Sequence, residues 1–195
     1  EPIEWRGGCH RSMPEAFAKG RAAAWYPDIP EAAHWKRYSE LVFDDFWKAK
    51  EVAQNDTGYM MGPLILLACG ADQWTGDDRA YTDPGMKRLW ERLLVEVSPD
   101  GFINPYGPNG GWNSTADYRI AMLERVAAKT GDGRYRFAAH KLLNYLRYQS
   151  RESDPNTYRL EGGNPWLIAL AYLFADDSVK PVQPDSDSLW NTRLE

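Results

Sequence analysis

A short pattern that occurs twice restricts the architecture of this chain more than any other feature. Trp74-Thr75-Gly76-Asp77-Asp78-Arg79 matches Lys129-Thr130-Gly131-Asp132-Gly133-Arg134 at its threonine, glycine, aspartate and arginine. Each copy follows an alanine-containing apolar stretch and precedes a segment with one-sided helical periodicity. A third, weaker copy closes at Ala175-Asp176-Asp177. The aspartates at 77, 132 and 176 fall 55 and 44 residues apart, at or just above the period of helix-pair arrays.

Periodicity between the copies is helical, and strand alternation is nearly absent. Trp35, Tyr38, Val42, Phe46, Ala49 and Ala53 make one apolar stripe on a helix at about 35–54, with Lys36, Arg37, Asp44, Lys48 and Lys50 on its other face. After Gly62-Pro63, residues 64–69 are apolar on every side, which predicts a helix buried all round. Asp83-Pro84 reads as an N-cap with proline at the first helical position, opening a helix whose stripe is Met86, Leu89, Trp90, Leu93 and Val97. Ser98-Pro99-Asp100-Gly101 ends it. Ser114 and Asp117 have capping-box spacing before a helix carrying Ile120, Leu123, Val126 and Ala127. A further helix at about 134–149 buries Ala138, Leu142, Tyr145 and Leu146. Asn164-Pro165 opens the last one, 166–174, apolar on every face.

The repeating unit is thus a buried helix, a Thr-Gly-Asp turn and an outer amphipathic helix. It predicts an all-α fold of repeated helical hairpins in concentric layers, an α/α toroid. Six hairpins of about fifty residues need roughly 300 residues, and 195 hold three or four. The expected toroid is therefore incomplete: a short array, or one completed by the remainder of a larger polypeptide or by a second chain. Residues 1–34 read as an N-terminal extension with a short helix, 35–177 as the hairpin repeats, and 178–195 as a linker-like tail with Pro181, Pro184, Asp185, Ser186 and Asp187.

Composition removes several classes of function. Lysine and arginine number 23 against 28 aspartates and glutamates, a net charge of −5 that argues against nucleic acid as a partner. The longest apolar run, Leu64 to Cys69, falls far short of the ~20 residues that cross a bilayer, so no membrane partner is expected. Glu1 in place of an initiating methionine suggests a processed chain whose targeting signal has been removed. Cys9 and Cys69 leave a single disulfide open and exclude a four-cysteine zinc site. No His-Glu-x-x-His, Gly-x-Ser-x-Gly or P-loop spacing occurs, and no metal or cofactor is expected. His140, beside Ala138, Ala139 and Leu142, reads as a core histidine, and His34 as a surface residue.

Chemistry is expected at the loops that lead into the buried helices, because successive buried helices run parallel and gather these loops at one rim. Three qualify: Gln54-Asn55-Asp56-Thr57-Gly58-Tyr59, the run 104–113, and Glu161-Gly162-Gly163-Asn164-Pro165-Trp166. Each combines amides, aromatic rings and glycine with a helix start that favours an anion. Flat rings stack on sugars and amides bond hydroxyls, so the mixture suits an anionic saccharide. Each residue singly also has an ordinary use: Asn113 and Asn164 as caps, Gly110 and Gly111 as turn residues, Trp166 as core.

Asn55-Asp56-Thr57-Gly58-Tyr59, Asp100-Gly101-Phe102-Ile103-Asn104-Pro105-Tyr106-Gly107 and Gly111-Trp112-Asn113 together resemble the α/α-toroid domain of polysaccharide lyases, the heparinase II/III-like group. The resemblance spans about residues 35–177 and implies β-elimination on a uronic-acid polysaccharide, secreted or periplasmic localisation, and a β-sandwich after the tail. It implies Tyr106, then Tyr59, as acid/base, Asn113 or Asn109 on the carboxylate, and Arg119 as electrostatic support. Trp112 and Trp166 would stack on sugar rings, with Asn55, Asp56 and Asn164 in the binding loops. The family's usual Asn-His pair is missing, since Ser114 follows Asn113 and Asp56 follows Asn55, so the catalytic base stays open. Two alternatives stand beside it: an α/α-barrel glycoside hydrolase of the unsaturated-uronyl type, using carboxylates among Asp56, Asp117 and Glu161, or a non-catalytic helical repeat that binds a glycan or a protein.

Overall fold

The computed structural model describes residues 12–49, 70–97, 116–152 and 165–185. Among them the regular structure is helical: α1 (Ser12–Trp25), α2 (Ala32–Ala49), α3 (Asp72–Thr75), α4 (Arg79–Thr82), α5 (Pro84–Glu96), α6 (Ala116–Thr130), α7 (Gly133–Glu152) and α8 (Pro165–Phe174). Hairpins of paired helices recur, α1 along α2 and α6 along α7, and α8 lies against α6. The all-α hairpin architecture expected from periodicity is therefore present.

Apolar stripes fall where the spacing places them. Tyr38, Val42 and Phe46 of α2 are buried, as are Met86, Leu89, Trp90, Leu93 and the following Val97 in the α5 stripe. Asp83 caps α5, its Oδ1 accepting the Met86 N–H at 3.0 Å, and Pro84 takes the first helical position where its missing N–H costs nothing. α6 is the inner helix. Arg119 through Glu124, then Val126 and Ala127, are all buried, so almost no face of it meets water.

Two cores result. Met13, Ala16, Tyr38, Val42, Phe43, Phe46 and Ala71 pack α1, α2 and the start of α3. A larger one joins α4 to α8 around α6, and Trp47 packs against both. Gly20 lets α1 approach α2 closely, since a Cβ there would lie inside van der Waals contact of Ser39 Oγ.

α8 departs from expectation. A helix apolar on every face was expected to be enclosed, yet only Leu167, Ala171 and Phe174 are buried, while Tyr172 and Leu173 are 83% and 75% exposed. The reason is its position: α8 packs through an i, i+4, i+7 edge onto α6, and no other described helix lies against it in comparable depth.

The repeated pattern is one local structure made twice. Thr75 Oγ1 donates back to the Ala71 carbonyl at 2.9 Å, and Thr130 Oγ1 to Val126 at 2.7 Å. Gly76 (φ 65°) and Gly131 (φ 72°) then turn the chain left-handed, their N–H groups bonding Asp72 and Ala127 four residues back. Asp77 accepts from the Arg79 N–H (2.9 Å) and Nε (2.5 Å), and Asp132 accepts from the Arg134 N–H and Nε, both at 3.0 Å. In the third copy, Asp176 accepts from the Ser178 N–H at 2.9 Å without a threonine, a glycine or a partner arginine. There the chain does not enter a helix; it runs back over the start of α7, where the Val182 N–H bonds the Gly133 carbonyl at 3.0 Å.

A buried ion pair ties the first turn to the inner helix. The Asp72 side chain is 1% exposed and takes Arg125 Nη2 at 2.7 and 2.8 Å and Lys129 Nζ at 3.0 Å. Arg125 also donates to the Tyr81 hydroxyl at 3.2 Å and stands over the Phe174 ring at 5.0 Å.

Breaking a buried pair by removing one partner typically costs about 3–5 kcal/mol, because a charge is left uncompensated. Arg125→Met should lose stability on that scale in urea unfolding, and Asp72→Leu in the same chain should recover part of the loss, revealing a coupling energy. At Gly76 and Gly131 an added Cβ meets nothing within 4 Å. Alanine at either should therefore cost only the left-handed backbone penalty, about 1–2 kcal/mol and alike at both sites.

Candidate functional site

Most residues singled out for chemistry lie outside the described residues: Asn55, Asp56, Tyr59, Tyr106, Asn109, Trp112, Asn113, Glu161 and Asn164. Trp166 and Asp117 lie in α8 and α6, and their side chains are outside as well. Arg119 alone among these groups is described, and it is fully buried in α6.

Two places in the described structure carry concentrated polar chemistry. The first is a cavity of about 620 Å³ between α1, α2 and the Thr75-Gly76-Asp77 turn. Ala23, Ala24, Pro27, Phe43 and Trp74 form its apolar wall. Trp74 is held edge-on to Phe17, with centroids 4.6 Å apart and planes at 82°, and lies 6.2 Å from Phe43. Ser39, Lys36, Glu40, Asp44, Asp77 and Arg79 supply the polar wall. No single motif in the sequence marks this place, because its walls come from positions 20 to 79; the tryptophan at the head of the repeated turn was the available signal.

The second is a cluster on the outer side of α6. The Glu124 carboxylate is buried, with His140 Nε2 at 3.4 Å and Arg136 Nε at 3.6 Å from its two oxygens. Arg136 reaches on to the tail, donating to the carbonyls of Asp176 and Val179 (2.7 Å for the latter) and to Asp177 Oδ1 at 2.6 Å. Burial pushes the Glu124 carboxyl up to about 7, against the pull of Arg136 and helped by Asp177. His140, expected in the core, is instead 43% exposed at its side chain. Its place explains the difference: the ring lies at the surface of α7, where Nε2 reaches the buried Glu124 carboxylate. The arrangement holds a proton on Glu124 near neutral pH beside a half-exposed imidazole. The signal in the sequence was a carboxylate, Glu124, directly after the apolar run 120–123 of α6.

The buried Tyr135 does not suit acid/base work near neutral pH. Burial, with Asp132 and Glu91 nearby, pushes the Tyr135 phenol up to about 12. No group of three or more histidine, cysteine, aspartate or glutamate side chains among the described residues could hold a metal ion, and no described helix is long and apolar enough to cross a membrane.

No family model, curated protein or solved structure matches the chain.

Glu124 gives a pH dependence with a definite sign. Its carboxyl titrates at about 7 in the folded chain and near the ordinary 4.5 when unfolded, so between these values the folded state binds the extra proton. Stability from this group is present at low pH and is lost as pH rises through that window. Glu124→Gln should therefore gain on the parent by about 2–3 kcal/mol between about pH 4 and about pH 8 in unfolding titrations. A constant difference across that range would remove the assignment.

Proposed function

We propose that this chain is a carbohydrate-active protein, a polysaccharide lyase or the toroid domain of one, that cleaves uronic-acid polysaccharide by β-elimination. The observation that carries the reading is the repeated unit, in which α6, the Thr130-Gly131-Asp132 turn and α7 form a buried helix, a turn and an outer helix. An array of such units puts the loops entering its inner helices at one rim, and in this chain those loops hold the aromatic and amide residues. The arc would be closed by the remainder of a larger polypeptide or by a second chain, and the protein would work in a secreted or periplasmic setting.

In the reaction a base removes the C5 proton, an acid protonates the leaving oxygen, and a donor to the carboxylate stabilises the charge that accumulates at C5. Tyr106 is assigned as acid/base, with Tyr59 second. A tyrosine is protonated at neutral pH and can be lowered by a neighbouring cation, so it can serve either step. Asn113 or Asn109 donates to the carboxylate, where preorganised hydrogen bonds are most effective, and Arg119 adds a positive field from within α6. Trp112 and Trp166 stack on sugar rings, and Asn55, Asp56 and Asn164 bond hydroxyls.

The test is incubation with a panel of uronic-acid polysaccharides, followed at the ultraviolet band of the unsaturated product. Tyr106→Phe should lower turnover by about 10²–10⁴-fold while sparing binding, the range general acid/base groups contribute. Reducing ends released without the ultraviolet band would replace the reading by the hydrolase. Glycan binding without either product would replace it by a non-catalytic module.

A further inference from the structure

We infer that the cavity between α1, α2 and the Thr75-Gly76-Asp77 turn binds an uncharged saccharide, at a site separate from the loops assigned above to chemistry. Its volume of about 620 Å³ lies within the ~300–1,000 Å³ typical of small-molecule sites. The inside is built rather than left over. Gly20 lines the floor, and a Cβ there would sit 2.9 Å from Trp74 Nε1 and inside contact of the buried Ser39 hydroxyl. The glycine therefore lets these two polar groups close onto α1 where all three residues line the cavity.

Charge decides the class of ligand. Three carboxylates line the cavity, and each has a cation within a few residues on its own segment: Glu40 with Lys36 at 4.0 Å, Asp44 with Lys48 at 2.5 Å, and Asp77 with Arg79 at 2.5 Å. Lys48 stands outside the lining, which itself holds three carboxylates and two cations, each of them paired at short range. A net ion gains little there, and a zwitterion finds no separate positive and negative lobes. Hydroxyls gain most, because at the Glu40–Lys36 and Asp77–Arg79 pairs each can donate to the carboxylate and accept from the cation, both charge-assisted bonds. Opposite them lie Phe43, Trp74 and Pro27, an apolar wall for a C–H face. Hydroxyls on one side and an apolar face on the other describe a pyranose.

The experiment is a proton–nitrogen NMR titration of the whole 195-residue chain with maltose, cellobiose and lactose as neutral probes. Glucuronic acid, glucosamine and glycine betaine serve as the anionic, cationic and zwitterionic probes. At least one neutral disaccharide should shift the Trp74 indole resonance saturably with a Kd on the order of 1 mM, and every ionic probe should bind at least about tenfold more weakly. Ala24 is exposed on the cavity wall, so Ala24→Phe fills the space from a surface position; it should keep the thermal midpoint and weaken disaccharide binding by about tenfold or more. No shift with any neutral probe, preference for an ionic one, or unchanged binding by Ala24→Phe would each overturn the assignment. The lyase reading is scored separately: Ala24→Phe should still form the unsaturated product from uronic-acid polysaccharide. If the parent chain forms none while the titration succeeds, only that reading fails.

Discussion

The carboxylate of Asp72 is the point on which the described structure turns. It sits at the start of α3 with its charge sealed from water, and a charge in that position persists only when it is paired and hydrogen-bonded. Arg125 and Lys129, one turn apart on α6, supply both requirements at 2.7 and 3.0 Å. Because Arg125 also takes the Tyr81 hydroxyl and stands over Phe174, this one contact brings α3, α4, α6 and α8 to a common centre. Burial alone would let these helices slide. A guanidinium that gives Nη2 to both carboxylate oxygens and Nε to the Tyr81 hydroxyl adds direction to the packing.

Around that centre the chain uses one turn twice. Threonine bonding back four residues, a left-handed glycine and an aspartate that caps the following segment answer the same need at 75–79 and 130–134, namely the unsatisfied groups where one helix ends and another begins. The third copy shows what the missing residues do. Without the threonine and the glycine, Asp176 still caps a turn, but the chain then runs extended over α7, where Arg136 holds it by two carbonyls and by Asp177.

Much of the fold was legible because it depends on local periodicity. The α5 stripe from Met86 to Val97, the Asp83-Pro84 start and the buried character of α6 follow from spacing and capping chemistry alone. The neighbours of each helix were less legible. α8 has the most apolar sequence of the described helices and yet exposes Tyr172 and Leu173, since exposure depends on what packs outside a helix, which composition does not specify. His140 shows the same limit on a smaller scale: its alanine and leucine neighbours suggested core, whereas the decisive partner, Glu124, comes from another helix. The candidate residues at the loops were chosen by chemical type. The cavity beside Trp74 was not, because positions as far apart as Gly20 and Arg79 become one wall only after α1 folds onto α2.

The amino-acid sequence by itself determined the helical class, the hairpin unit and the chemistry of its turns, because these rest on interactions within about four residues. The tertiary structure decided which charges are buried together, which apolar face is left open, and where a cavity lined by paired charges forms. Those outcomes rest on contacts between residues tens of positions apart. Asp72 with Arg125, Glu124 with His140 and Gly20 with Trp74 have no local signature, and their energies arise only once packing has excluded water from the space between them.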